Sequence, residues 1–332
     1  MKIIVPMAGM GKRMRPHTLT IPKPLIHVGG KSIVHRLVED ITAISDEKVD
    51  EIAFIIGRFG DEVERDLIEV AESLGAAGKI YYQDEALGTA HAILCAEKSL
   101  EGKVVVAFAD TLFKGKFEFD SNADGILWVK SVEDPSAFGV VKLDENQTII
   151  DFVEKPAEFV SDLAMIGIYY FKDGAYLKNE LQYLIDNEVI KAGEYQLPDA
   201  LRNMMNKGTS FRTGQVEEWL DCGNKDATVY SNQRVLHHMG NTIANSVEHQ
   251  NSVIIEPCFI GEGVQITNSV IGPHVSIGSG SIISNARIEN SILQKNSTIN
   301  QAVISNSMLG HHSGLSLASL DLSISDYSKI ES

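Results

Sequence analysis

Apolar residues in the first third of the chain fall in short β-branched runs separated by longer amphipathic stretches, a rhythm that predicts strands alternating with helices. Strands are expected over residues 2–7, 51–56, 79–83 and 104–109, the last ending on Asp110, and helices over 32–44, 61–74 and 89–99. The strands are apolar on both faces, so helices must cover both sides of a mainly parallel sheet. The fold class is therefore α/β, a doubly wound domain. Between Gly125 and Phe171 strands follow more closely, and the turn Asp144-Glu145-Asn146-Gln147 is expected to join 138–143 to 149–154 as a hairpin. Helices return at 174–186 and 197–206, followed by one strand at 210–220 and a helix at 225–238.

From Ile254 the pattern changes. Aliphatic residues recur every five or six positions, at Ile254, Ile260, Ile266, Ile271, Ile277, Ile283, Ile288, Leu293, Ile299, Ile304, Leu309 and Leu315, with small or polar residues between them. Every third anchor lies 16 or 17 residues further on, as in Ile260 to Ile277 and Ile283 to Ile299. That period marks a three-sided β-solenoid of roughly four coils. The polar stretch 239–251 reads as the boundary before it. The domains expected are 1–238, a linker at 239–252, the solenoid at 253–320 and a tail at 321–332.

Composition narrows the function classes. The chain has 332 residues, 44% hydrophobic and 22% charged, which suits a globular protein of about two domains. Its formal net charge of −16 repels polyanions, and Lys12, Arg13 and Arg15 are the longest basic group, so nucleic acid is not the expected partner. Cys95, Cys222 and Cys258 fit neither a disulfide framework nor a zinc site, and a reducing cytoplasm is expected. No apolar run is long enough to span a membrane, and the start is too short for a signal peptide.

The segment Ala8-Gly9-Met10-Gly11-Lys12-Arg13-Met14 follows the first strand. Glycines there let backbone N–H groups close around an anion that a Cβ would keep away. Arg13 can contact a phosphate through two N–H groups, and Lys23 adds a compact positive charge. Two better-known phosphate loops are excluded. A Walker A loop fails because Leu25 occupies its first glycine position, and the dinucleotide fingerprint fails because Met14 stands where its third glycine belongs.

Reading on through Pro16-His17-Thr18, Pro22-Lys23-Pro24-Leu25 and Val28-Gly29-Gly30-Lys31-Ser32, the stretch resembles the signature of the sugar-phosphate nucleotidyltransferases. The segments QDEALGTAHA (83–92), FAD (108–110), FGVVKL (138–143), VEKP (153–156) and WLDCG (219–223) follow in that family's order. The resemblance covers residues 1 to about 235 and implies a Rossmann-like mixed sheet. The solenoid resembles the left-handed β-helix that many members carry. Three positions depart from the usual pattern: Lys12 and Asn224 each replace a Thr, and Ser32 replaces a Pro.

The resemblance implies that a sugar 1-phosphate attacks the α-phosphorus of a nucleoside triphosphate and expels pyrophosphate, a reaction that needs alignment and charge neutralisation rather than a protein nucleophile. It makes Arg13 and Lys23 the catalytic cations, and Ala8, Gly9, Gly11, Gln83, Gly88 and Thr89 the nucleotide-binding set. Asp110 and Asp221 match the family's Mg²⁺ carboxylates, a donor set that suits this hard cation. Gly139, Glu154, Lys155 and Tyr169 match the sugar-phosphate-binding positions. Gln83, with one amide donor and one acceptor, suits uracil or thymine, so UTP or dTTP with glucose 1-phosphate is favoured. Cys222 reads as a small buried residue.

Three alternatives stay open. His274 or His311-His312 in the solenoid points to a second, acetyl-transferring activity. Guanylyl transfer to mannose 1-phosphate is another. The last is a non-catalytic sensor of sugar nucleotides, against which Arg13, Lys23, Asp110 and Asp221 are all retained. The solenoid is also a candidate surface for homo-oligomers.

Overall fold

The computed structural model of the protein describes residues 1–115, 123–145, 148–191 and 193–318. Half of the expected hairpin turn at 144–147 and the whole expected tail at 321–332 lie outside the described residues. The chain divides into two compact units, Met1–His27 with Lys31–Ser231, and Val28–Gly30 with Asn232–Ser332.

In chain order the strands before the solenoid are β1 (Lys2–Pro6), β2 (His27–Val28), β3 (Lys31–Ser32), β4 (Glu51–Ile56), β5 (Ala77–Tyr82), β6 (Val104–Ala107), β7 (Thr111–Lys114), β8 (Gly125–Ser131), β9 (Gly139–Leu143), β10 (Ile149–Glu154), β11 (Leu163–Phe171), β12 (Phe211–Gln215) and β13 (Glu218–Asp221). The helices are α1 (Ile33–Ile44), α2 (Asp61–Ser73), α3 (Thr89–Leu94), α4 (Gly174–Asp186), α5 (Leu197–Asn206) and α6 (Lys225–Met239). Nine strands make one mixed sheet along β10-β9-β11-β6-β1-β4-β5, with β8 beside β11 and β12 beside β8.

The centre of this sheet is parallel: β1 lies between β4 and β6, and β5 continues beyond β4. Ile3, Ile4, Val5, Phe54, Val105 and Val106 are fully buried, as expected of strands covered on both faces. From β1 the chain moves outward to β4 and β5, then crosses back to β6 on the other side of β1. Strand order thus reverses between β1 and β6, which opens a crevice at their carboxyl ends.

Local chemistry starts the helices where the pattern predicts. The Ser32 hydroxyl accepts from the His35 N–H at 3.3 Å, capping α1, whose Ile33, Val34, Leu37, Val38 and Ile41 are buried on one face. Asp173 caps α4 by accepting from the N–H groups of Ala175 and Tyr176. α3 stops at Leu94, short of the expected end at 99, because the backbone tightens there: Ala96, Glu97 and Ser99 each bond to the carbonyl three residues back.

The expected strand at 210–220 is two strands. β12 runs parallel to β8 in the main sheet, whereas β13 pairs antiparallel with β7 in a separate ribbon. Apolar patterning does not see this change of partner.

The second unit carries the expected solenoid. Short strands stack in three parallel sheets of five, five and four strands. The register joins residues one period apart: Ile260, Ile277 and Leu293 stack on one face, Ile266, Ile283 and Ile299 on the second, and Ile271, Ile288 and Ile304 on the third. These side chains fill the interior. Corners turn through left-handed backbone at Asn251, Asn268, Asn285 and Gln301, and Asn side chains bond up that corner, as from Asn251 to Asn268 at 2.8 Å.

The expected linker at 239–252 is corrected. Thr242–Ile243 and Glu248–Gln250 are the first coil's strands, paired with Phe259–Ile260 and Gln265–Thr267. The aliphatic repeat does not reveal this coil because His249 stands in register with Ile266, and a terminal coil faces water.

Candidate active site

The loop after β1 is held at both ends and open between them. Met7 N–H donates to Ile55 O at 2.8 Å, and Met14 N–H to Gly11 O at 2.9 Å. The Thr18 hydroxyl donates to the same Gly11 carbonyl at 2.8 Å. Gly11 adopts φ 56°, and a Cβ there would lie 3.0 Å from Thr18 Cγ2 and 3.1 Å from Lys23 Cβ, so the tight turn requires glycine. Among the described residues the backbone N–H groups from Ala8 through Arg13 donate to no protein acceptor. A run of unspent amides at a strand's end has the form of the anion nest that the glycines led one to expect.

Three distant segments converge beside this nest. Lys23, in a short 3₁₀ turn between Pro22 and Pro24, places Nζ 2.7 Å from Asp110 Oδ2. Asp110 follows β6, and the β7–β13 ribbon brings Asp221 alongside, with Thr111 opposite Asp221 and the Cys222 N–H donating to Asp110 O at 2.9 Å. Burial raises the Asp221 pKa, and the charge of Asp110 raises it further. Lys23, the Gly223 N–H and Arg13 offset this in part. Arg13 is exposed, with a guanidinium nitrogen that would lie 3.3 Å from a Cβ at Gly223. Two neighbouring carboxylates, one of them made costlier to ionise by burial and by the other's charge, suit one divalent cation that takes its remaining oxygens from phosphate and water. Among the described residues no cluster of three metal-ligating side chains competes with that pair.

A cleft of ≈ 300 Å³ leads away from the nest, lined by Gly9, Gly11, Lys23, Gln83, Gly88 and Asp110 among others. Ala8 and Thr89 also line it, so all six expected nucleotide positions meet there. Gly88 has φ 107°, and a Cβ on it would lie 2.4 Å from Tyr195 O, which bars every other residue. The Thr89 hydroxyl accepts from the Leu197 N–H at 2.9 Å. One expectation is corrected: Gln83 Nε2 is spent inside the protein, on Gly88 O at 3.2 Å and His91 Nδ1 at 3.1 Å. Gln83 therefore presents an acceptor alone, not a donor and an acceptor.

A second lobe of ≈ 740 Å³ contains Glu154, Lys155 and Tyr169. Gly139 lies directly opposite Glu154 in the β9–β10 pair, and a Cβ on it would lie 2.7 Å from Glu154 Oε2. Tyr169 is buried in a T-shaped contact with Phe108, and burial raises its pKa, with the Glu154 charge adding to the shift. Thr89, Phe108 and Glu194 border both lobes, so the two adjoin.

Sequence reasoning missed Glu194, Lys191 and Arg202, which line the second lobe. Lys191 and Glu194 precede the helix start Leu197-Pro198 and Arg202 lies within that helix, so no local motif marks the three together. Cys222 is buried as expected, and burial pushes its thiol up to about 12.

Comparison with known proteins agrees with this geometry. A family model described as nucleotidyl transferase matches residues 2–238. The glucose-1-phosphate thymidylyltransferase of Streptomyces antibioticus is 28% identical over 330 residues, covering 90% of this chain and 88% of that protein. The bifunctional protein GlmU of Methanococcus maripaludis is 29% identical over 264 residues, 77% of this chain and 60% of its own length. In fold, the nucleoside-diphosphate-sugar pyrophosphorylase of Vibrio cholerae RC9 matches with a TM-score of 0.59 at 20% identity, over 70% of this chain and 99% of that one.

Proposed function

Since this chain belongs to the nucleotidyl transferase family, we propose that it joins a nucleoside triphosphate, UTP or dTTP, to a sugar 1-phosphate, glucose 1-phosphate first among them, with release of pyrophosphate. The observation that carries this reading is the convergence of Lys23, Asp110, Asp221 and Arg13 beside unspent loop amides. Nucleotidyl transfer needs negative charge to be held and neutralised on the α-phosphate and on the leaving pyrophosphate. The amides from Ala8 to Arg13 hold the triphosphate, Arg13 faces the departing pyrophosphate, and Lys23 steadies the phosphate oxygens near the reacting centre. Asp110 and Asp221 would hold Mg²⁺, which when bound neutralises phosphate charge.

In the second lobe Glu154 accepts hydrogen bonds from sugar hydroxyls, Lys155 pairs with the sugar phosphate, and Tyr169 walls the pocket. The imide edge of uracil or thymine has an N–H and a carbonyl side by side. Gln83 Oε1 answers the N–H, and the Gly88 N–H, which donates to nothing among the described residues, answers the carbonyl. Cytosine places an acceptor where Gln83 also accepts. The S. antibioticus relative's name, a thymidylyltransferase, supports thymine of the two.

The acetyl-transfer alternative gains nothing from His274 or His312. His274 and His312 occupy left-handed corners, at φ 63° and 55°, where Asn and Gly stand in neighbouring coils. Measured pyrophosphate release over five triphosphates and several sugar 1-phosphates tests the function. Turnover is expected with UTP or dTTP, and no turnover with any pair would contradict it.

A further inference from the structure

Gln83 reaches the cleft from the end of β5, and its amide is held from behind by two groups. The Gly88 carbonyl can only accept, so the atom facing it at 3.2 Å is the amide nitrogen. The same nitrogen lies 3.1 Å from His91 Nδ1. With one hydrogen on Gly88 O, the other points to Nδ1, which must then be an acceptor. His91 is consequently the neutral tautomer protonated on Nε2. Burial favours that form, lowering the His91 pKa below the ordinary 6.5 against the charge of Glu85.

His91 does not line the cleft. It sits one turn inside α3, behind Gln83. Both amide hydrogens are spent away from the base, and among the described residues Gln83 Oε1 accepts nothing.

We propose that His91 is the positioning residue that makes Gln83 a pure acceptor, so that the cleft selects bases carrying a ring N–H and refuses cytosine. The proposal rests on the uracil or thymine reading of the cleft. Without the Nδ1 acceptor one amide hydrogen is unpaired, and the Gly88 carbonyl alone then resists a turn that would offer the NH₂ to the base. With the amide turned, uracil loses its partner and cytosine gains one. One hydrogen bond of this kind corresponds to about tenfold in discrimination.

The test is kcat and KM for UTP, dTTP and CTP with glucose 1-phosphate in the wild type, His91→Leu and His91→Asn. Asn can place its Oδ1 where Nδ1 was and restore the acceptor. Expected is a wild-type preference for UTP or dTTP, and a loss of about tenfold of it in His91→Leu, carried by KM with kcat nearly unchanged. His91→Asn should recover most of the preference. A His91→Leu enzyme that keeps the full preference, or loses only kcat, overturns the role of His91 and leaves the base reading standing. A wild type that uses CTP as readily as UTP overturns the base reading and the proposal together.

Discussion

Lys23 Nζ lies 2.7 Å from Asp110 Oδ2, although the two come from a 3₁₀ turn and from the far side of a strand crossover. The ammonium balances one carboxylate of a pair whose other member, Asp221, is already pushed toward neutrality by burial and by Asp110. Asp221 is therefore the carboxylate that a divalent counter-ion of a triphosphate would neutralise.

Lys23→Gln removes that balance while keeping the side chain's polarity. Turnover should fall about 10²- to 10³-fold, the scale for loss of one preorganised charge-stabilising group. Steady-state kinetics at saturating substrates, with circular dichroism to verify folding, measures it.

Asp221→Asn removes a like charge that costs the free protein stability. The melting temperature without ligand should stay level or rise, whereas turnover falls at least about tenfold and half-maximal activity needs more Mg²⁺. A destabilised variant with wild-type activity would show that Asp221 is a structural residue.

Gly139→Ala places a methyl 2.7 Å from Glu154 Oε2 and 2.5 Å from Met165 Cε, so Glu154 must move. The KM for sugar 1-phosphate should rise by about tenfold or more, with the KM for the triphosphate nearly unchanged. Varying each substrate separately distinguishes the two lobes.

Cys222, with its thiol pushed up to about 12, stays protonated at any working pH. Iodoacetamide at pH 8 should leave activity intact, and Cys222→Ala should retain turnover within about twofold. Rapid inactivation that the substitution abolishes would contradict this.

His312 sits at a left-handed corner with φ 55°. His312→Val should cost about 1–2 kcal/mol in urea unfolding, His312→Asn should be nearly neutral, and neither should alter nucleotidyl transfer.

Much of the fold was legible because burial writes itself into apolar periodicity: the sheet's parallel centre and the solenoid's repeat both follow from it. The ribbon of β7 and β13 was not, since strand partners leave no local mark, and that ribbon is what sets Asp221 beside Asp110. The first coil was hidden by His249 at a position that later coils fill with isoleucine. At the site, the glycine loop was legible from residue types that only close backbone approach explains. The state of Gln83 was not, because it depends on a carbonyl and an imidazole that approach from α3.

The most direct test follows the phosphorus atoms. With UTP or dTTP labelled at the α-phosphate and unlabelled glucose 1-phosphate, the label is expected in the sugar nucleotide, and γ-label in pyrophosphate. Release of α-label as nucleoside monophosphate, or of γ-label as orthophosphate, would contradict nucleotidyl transfer at this site.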